Sequence, residues 1–232
     1  MNKNRLLTTI PQQEIHRLKP FLDPVKLELK QILIEFNEPI RYVYFPDDAV
    51  TSTVVQTPDG GTIEVGLMGG EGMVGLSLLC GVERSNTTVF TQVPGTATRM
   101  KAADLVEHVV QHGGPLYELL LRYTNAFMGM IAQVAACNNT HSLEERMCRW
   151  ILMTHDRVQK DEFVLTQEFL SQMLGVRRPS VSVVASTLQT AGIIRYTRGN
   201  ITVVNREELE AASCECYGLI VVLIENIFRK PE

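Results

Sequence analysis

The sequence has no apolar run long enough to span a bilayer, which takes about 18 residues. The longest candidate, Leu219 to Ile224, falls far short. The opening stretch MNKNRLLTTIPQQEI has no apolar signal core. A cytoplasmic location with no membrane partner is therefore expected. Cysteine is scarce and odd in number, 5 in 232 residues, which without a secretory signal argues against a disulfide framework. G-x-S-x-G, a Walker loop and H-E-x-x-H are all missing, and MGGEG (68–72) lacks the spacing of a phosphate loop. No enzyme is expected. The net charge of −4 excludes a chain that is basic all over, though not one basic region.

Such a region is present. From Thr166 to Arg206, the five arginines Arg177, Arg178, Arg195, Arg198 and Arg206 stand against Glu168 alone, a local charge of 5 − 1 = +4 in an otherwise acidic chain. That asymmetry points to an anionic partner.

Hydrophobic spacing divides the chain. Residues 5–30 carry helical spacing (Ile15, Leu18, Leu22, Val25), broken by Pro20 and Pro24. From Ile32 to Met100, short runs rich in Val, Thr and Ile alternate with Gly, Pro and Asp turns, the texture of an antiparallel sandwich or barrel. QTPDGGTIEV reads as a hairpin whose Asp-Gly accepts a tight turn.

Gly113-Gly114 breaks the chain, and Pro115 suits a first helical position. Leu116, Leu120, Tyr123, Phe127, Met130, Val134 and Cys137 then recur at alternating +4 and +3, a heptad seam. It fits a dimerisation helix or a helix packed on its own domain; the dimer seam is favoured. The chain divides into a β-rich unit (1–114), a long helix and hinge (115–139) and a C-terminal unit (140–232). Ser142 and Glu145 have the spacing of a capping box at the start of LEERMCRWILMTHDRV.

In LTQEFLSQMLGVRRPSVSVVASTL, Thr166 is placed to cap a short helix with Phe169, Leu170, Met173 and Leu174 as its apolar stripe. Gly175 ends it, and a second helix starts at Arg178-Pro179 with Val181, Val184, Ala185 and Leu188 facing inward. Small Ser171 lies four before the glycine, where two helices must cross closely. This is the pattern of a helix-turn-helix, with Thr166 at the start of the first helix and Arg177, Arg178, Ser180 and Ser182 at the start of the second as the residues that meet DNA bases and phosphates. AGIIRYTRGNITVV then reads as strand, turn, strand: a wing with Arg198 at its tip. The segment from Arg206 to Lys230 reads as one amphipathic helix covering the C-terminal unit or extending dimer contacts.

This order of parts resembles the Crp-Fnr family of bacterial transcription regulators over nearly the whole chain, most closely in LTQEFLSQMLGVRRPSVSVVASTLQTAGIIRYTRGNITV. The resemblance implies an α+β protein: an N-terminal antiparallel β jelly-roll sensor of the cyclic-nucleotide-binding type, a long dimerisation helix and a C-terminal winged helix-turn-helix. It implies a homodimer on palindromic double-stranded DNA, and RNA polymerase as a partner if the protein activates. A winged helix that no longer binds DNA and serves protein interaction is the alternative.

The resemblance also places an effector site at Gly75, Arg84 and Ser85 in GGEGMVGLSLLCGVERSNTT, with Arg84-Ser85 on the phosphate of a nucleotide. Leu76 stands where the family's ribose-binding glutamate belongs, so cyclic AMP is disfavoured and no cofactor is assigned. The absence of cysteine before Cys80 excludes the iron–sulfur cluster of oxygen-sensing relatives. Cys137, His141, Cys214 and Cys216 would suit zinc only if the fold brought them together. The cysteines are read as buried small hydrophobes, and no metal is expected.

Overall fold

The computed structural model describes residues 3–57 and 60–229. Two short helices open it, α1 (Arg5–Thr9) and α2 (Gln12–Leu18), followed by a single 3-10 turn at Lys19–Phe21. The helical reading of residues 5–30 fails beyond that turn, because β1 (Asp23–Leu27) is a strand. Pro24 is tolerated there since β1 lies at a sheet edge, where a missing N–H breaks no ladder.

The strands β2 (Ile32–Ile34), β3 (Tyr42–Pro46), β4 (Val50–Gln56), β5 (Thr62–Met68), β6 (Thr88–Val93) and β7 (Gly95–Lys101) complete the β-roll. They form two antiparallel sheets, ordered β1-β7-β3 and β2-β6-β4-β5. The β4–β5 hairpin pairs Gln56 with Thr62, and its turn is closed by Thr57 N–H donating to the Gly61 carbonyl at 2.8 Å. Pro58 and Asp59, placed in that turn by the sequence, lie outside the described residues. In β4 the run Val50 to Val54 is buried without alternation. A strand that shows no exposed face is covered on both sides.

A short helix α3 (Ala102–Leu105) and a π-helical turn (Val106–Val110) lead to α4 (Pro115–Thr140), the 26-residue helix expected after Gly114. After a break at His141, α5 (Leu143–Val158) starts on the expected capping box, Ser142 accepting from Glu145 N–H and Glu145 answering through its side chain. There follow β8 (Glu162–Val164), α6 (Gln167–Leu174), α7 (Arg178–Thr190), β9 (Ile194–Thr197), β10 (Asn200–Val203), α8 (Arg206–Ala211) and α9 (Cys216–Phe228). The third sheet is ordered β8-β10-β9. The single C-terminal helix read from the sequence is thus two helices with a turn at 212–215. The second, α9, packs back along α4.

The C-terminal unit is docked on the β-roll. Trp150 of α5 donates from Nε1 to Glu64 Oε1 at 2.7 Å, and its ring meets Phe169 of α6 edge-on, as does Phe90 of β6. Arg157 pairs with Glu71 at 2.7 Å, with side chains only 4% and 7% exposed. These contacts cover the outer side of the four-stranded sheet and explain why β4 has no free face.

Candidate nucleic-acid interface and sensor cavity

Thr166 caps α6 by accepting from Phe169 N–H at 3.1 Å. Leu170, Met173 and Leu174 are buried, and Gly175 ends the helix at φ +64. That left-handed backbone suits glycine. Ser171 is buried where α6 meets α7, and its small side chain allows the crossing. Pro179 sits in the first turn of α7, while Val181, Ala185 and Leu188 face inward. The α6–α7 pair is the helix-turn-helix that the spacing of glycine and apolar residues predicts.

On the outward side of α7, Arg177, Arg178, Pro179 and Ser180 are exposed, and Val183 stands out at 67%. Arg177 is the N-cap and offers no side-chain cap bond; Pro179 has no N–H and Ser180 N–H donates to the Arg177 carbonyl at 3.0 Å, so what this end presents outward is the two guanidinium groups at a helix start. That combination suits an anion. Ser182 is less free: its hydroxyl donates to Gln167 Oε1 at 2.7 Å, fastening α7 to α6. The wing turns at Arg198 and Gly199, both at positive φ, and leaves the Arg198 side chain exposed. Gln189, which the sequence reading passed over, accepts from Tyr196 N–H at 2.8 Å and ties the wing to α7. Exposed arginines thus stand on both the helix start and the wing.

The seam residues of α4 are placed differently from the expectation. Leu116, Leu120, Tyr123, Phe127 and Met130 are buried within the chain itself, and Val134 packs against the same core. Gly66 and Gly72 leave the room that the rings of Phe127 and Tyr123 fill. These six residues hold α4 to its own domain. One position further on runs a second heptad, Tyr117, Leu121, Thr124, Met128, Ile131 and Ala135, of which Leu121 is 43% and Met128 58% exposed.

The expected effector residues also separate. A cavity of about 310 Å³ lies between the β-roll and α4, walled by Val65, Met68, Leu76, Phe127, Met128 and Ile131 among others. Gly75 and Ser85 reach it. Arg84 does not: it is exposed and donates from Nη1 to the Asn37 carbonyl at 2.7 Å. The Ser85 hydroxyl is itself engaged, donating to the Thr87 carbonyl at 2.7 Å. No charged side chain among the described residues lines the cavity. In this structure the Arg84 guanidinium, expected at a phosphate, bonds the Asn37 carbonyl outside the cavity.

The four residues that would suit zinc only if the fold brought them together do meet: Cys137, His141, Cys214 and Cys216 converge at the end of α4. The sequence carried a signal for this, since Cys137 and His141 are one helical turn apart and Cys214-x-Cys216 is a ligand spacing.

A β-roll, a long helix and a winged helix-turn-helix follow one another in this order. Residues 145–212 match the Crp-like helix-turn-helix domain. The chain is similar in fold to FixK2 from Bradyrhizobium japonicum, with 15% identity over 83% of this chain and 98% of that one, TM-score 0.67. It is similar to a Crp-family transcriptional regulator from Thermus thermophilus, with 17% identity over 82% and 96% of the chains, TM-score 0.67. A third likeness is to CLP, the c-di-GMP-responsive global regulator of Xanthomonas campestris, with 12% identity over 84% and 100%, TM-score 0.63. No curated protein matches the chain in sequence. The chain carries a Crp-like helix-turn-helix domain on the fold of the Crp-Fnr regulators. No helix among the described residues is long and apolar enough to cross a membrane.

Proposed function

We propose that the protein is a sequence-specific DNA-binding transcription regulator that acts as a homodimer and answers to a neutral ligand. The observation that carries the first part is the exposed, basic N-terminal end of α7, where Arg177 and Arg178 stand at the helix start and Arg198 on the adjoining wing. Arginine at a helix start entering the major groove bonds guanine O6 and N7 or clamps phosphates. Exposed Val183 on the same face offers contact to a thymine methyl.

The second heptad of α4 supports pairing of two copies, because Leu121 and Met128 are large apolar side chains left exposed at coiled-coil spacing. Thr124, Met128 and Ile131 belong both to that face and to the cavity wall. A partner helix would therefore sit against the cavity, which gives a ligand a route to the dimer geometry. The lack of a lining charge favours an uncharged, mostly apolar molecule over a nucleotide, whose phosphate would be left without a counter-charge. RNA polymerase is the further partner if the protein activates transcription.

Selection from a randomised duplex library, with and without cyclic AMP, tests this reading. The expected result is a two-fold symmetric site with half-sites about one DNA turn, ~34 Å, apart in both arms. Equal binding to selected and scrambled duplexes would overturn the sequence-specific reading. Enrichment only with cyclic AMP would overturn the neutral-ligand part.

A further inference from the structure

The three buried thiols Cys137, Cys214 and Cys216 form a cluster apart from the main core. Cys137 and His141 come from the last turn of α4, and Cys214 and Cys216 from the turn into α9. One ligand atom from each of the four residues lies within 4.8 Å of all the others. Cys137 Sγ is 3.5 Å from Cys214 Sγ, and Cys216 Sγ is 3.7 Å from His141 Nδ1. A tetrahedral zinc ion, with bonds of about 2.3 Å to sulfur and about 2.0 Å to nitrogen, sets such atoms roughly 3.5–3.8 Å apart.

The surroundings favour a metal independently of those distances. His141 turns Nδ1 toward the sulfurs while Nε2 lies 3.2 Å from Glu215 Oε1. A carboxylate behind an imidazole fixes its tautomer and ring orientation for a metal. Thr140 Oγ1, 3.0 Å from Nδ1, is the contact that a metal would replace. Gln133 donates from Nε2 to Cys216 Sγ at 3.0 Å, the kind of bond that supports a thiolate. Arg149, 2% exposed, lies near both the buried Glu64 carboxylate and Cys137, and its Nε has no hydrogen-bond partner. Three thiolates around a divalent cation carry a net −1, a charge that a neighbouring guanidinium favours.

We propose that Cys137, His141, Cys214 and Cys216 bind one zinc ion per chain in a closed, four-coordinate structural site. The cysteines bind as thiolates, with any protons they carry released to solvent, and nothing is oxidised or reduced. The ion joins the end of α4 to the turn before α9, beside the break that leads into α5. This does not rest on the DNA-binding reading.

The test is metal analysis of the full-length protein purified under reductant, followed by cobalt(II) titration of the chelated protein. One equivalent per chain is expected, with thiolate-to-cobalt charge transfer and the visible bands of a tetrahedral centre, displaced by one equivalent of zinc. Cys214→Ser and Cys216→Ser should abolish stoichiometric uptake. His141→Asn, at the solvent edge, should keep the circular dichroism spectrum and weaken zinc at least tenfold, while Cys80→Ser should change nothing. The proposal is overturned if reduced, folded protein takes up no stoichiometric metal, if uptake persists in the two serine variants, or if His141→Asn binds zinc as tightly as the parent.

Discussion

Glu64 lies buried under α5, with Trp150 donating to one oxygen and Oε2 unpaired. Burial pushes its pKa from the ordinary 4.5 up to about 7, against the lowering effect of Ser52 and Trp150. The folded chain therefore holds a proton that the unfolded chain has released. Folding stability should fall as pH rises from about 4.5 to about 7 and then level off, by on the order of 3 kcal/mol. Urea unfolding at pH 5 and pH 8 checks this: Glu64→Gln should lose most of that fall, and an equally steep variant would refute the assignment. Arg178→Ala should cost about 1–3 kcal/mol of DNA affinity at one base position. Arg198→Ala should weaken all duplexes alike and reduce the salt slope by about one. Fluorescence anisotropy across a salt series separates the two. The arginines were legible in the sequence because they break an apolar run just after a helix-ending glycine. The direction of Arg84 was not legible, because a motif gives identity and spacing, while direction depends on which carbonyl lies nearest, here that of Asn37.

Helix α4 shows why a heptad does not name its partner. Two apolar seams run along it one residue apart, since the helix is clamped between the β-roll and α9 on one side and leaves Leu121 and Met128 exposed on another. Periodicity revealed the helix and its length but could not rank the seams. Leu120→Ala should cost about 2–5 kcal/mol in denaturant unfolding, as expected for a fully buried leucine. Met128→Glu should leave the fold intact and shift sedimentation toward the monomer. A Met128→Glu dimer as tight as the parent would place the interface elsewhere. The break between α8 and α9 was illegible for a related reason. Ala212 to Glu215 contains no proline or glycine, and what turns the chain there is Cys214 facing Cys137, a contact between residues 77 positions apart.

At the scale of the molecule, both units were readable from composition and turn chemistry. Their docking was not, because it rests on pairs such as Glu71–Arg157 that lie 86 residues apart. Removing one partner of so well-buried a pair strands the other charge. Glu71→Gln should therefore destabilise by about 3–5 kcal/mol, read as a lower urea midpoint. An unchanged midpoint would mean that the C-terminal unit sits on the β-roll without help from this pair.

The position of Met128 near the middle of α4 has a mechanical consequence. About 12 residues separate it from Thr140, or roughly 18 Å at a rise of 1.5 Å per residue. Met128 both walls the cavity and lies exposed on the face proposed for pairing, so in a dimer it would serve as a fulcrum. Each degree of tilt about it moves the far end by about 0.3 Å. A molecule that displaces the cavity wall by a bond length is thus geared up along the arm, and the two reading heads of a dimer, moving in opposite senses, would double the change in their separation.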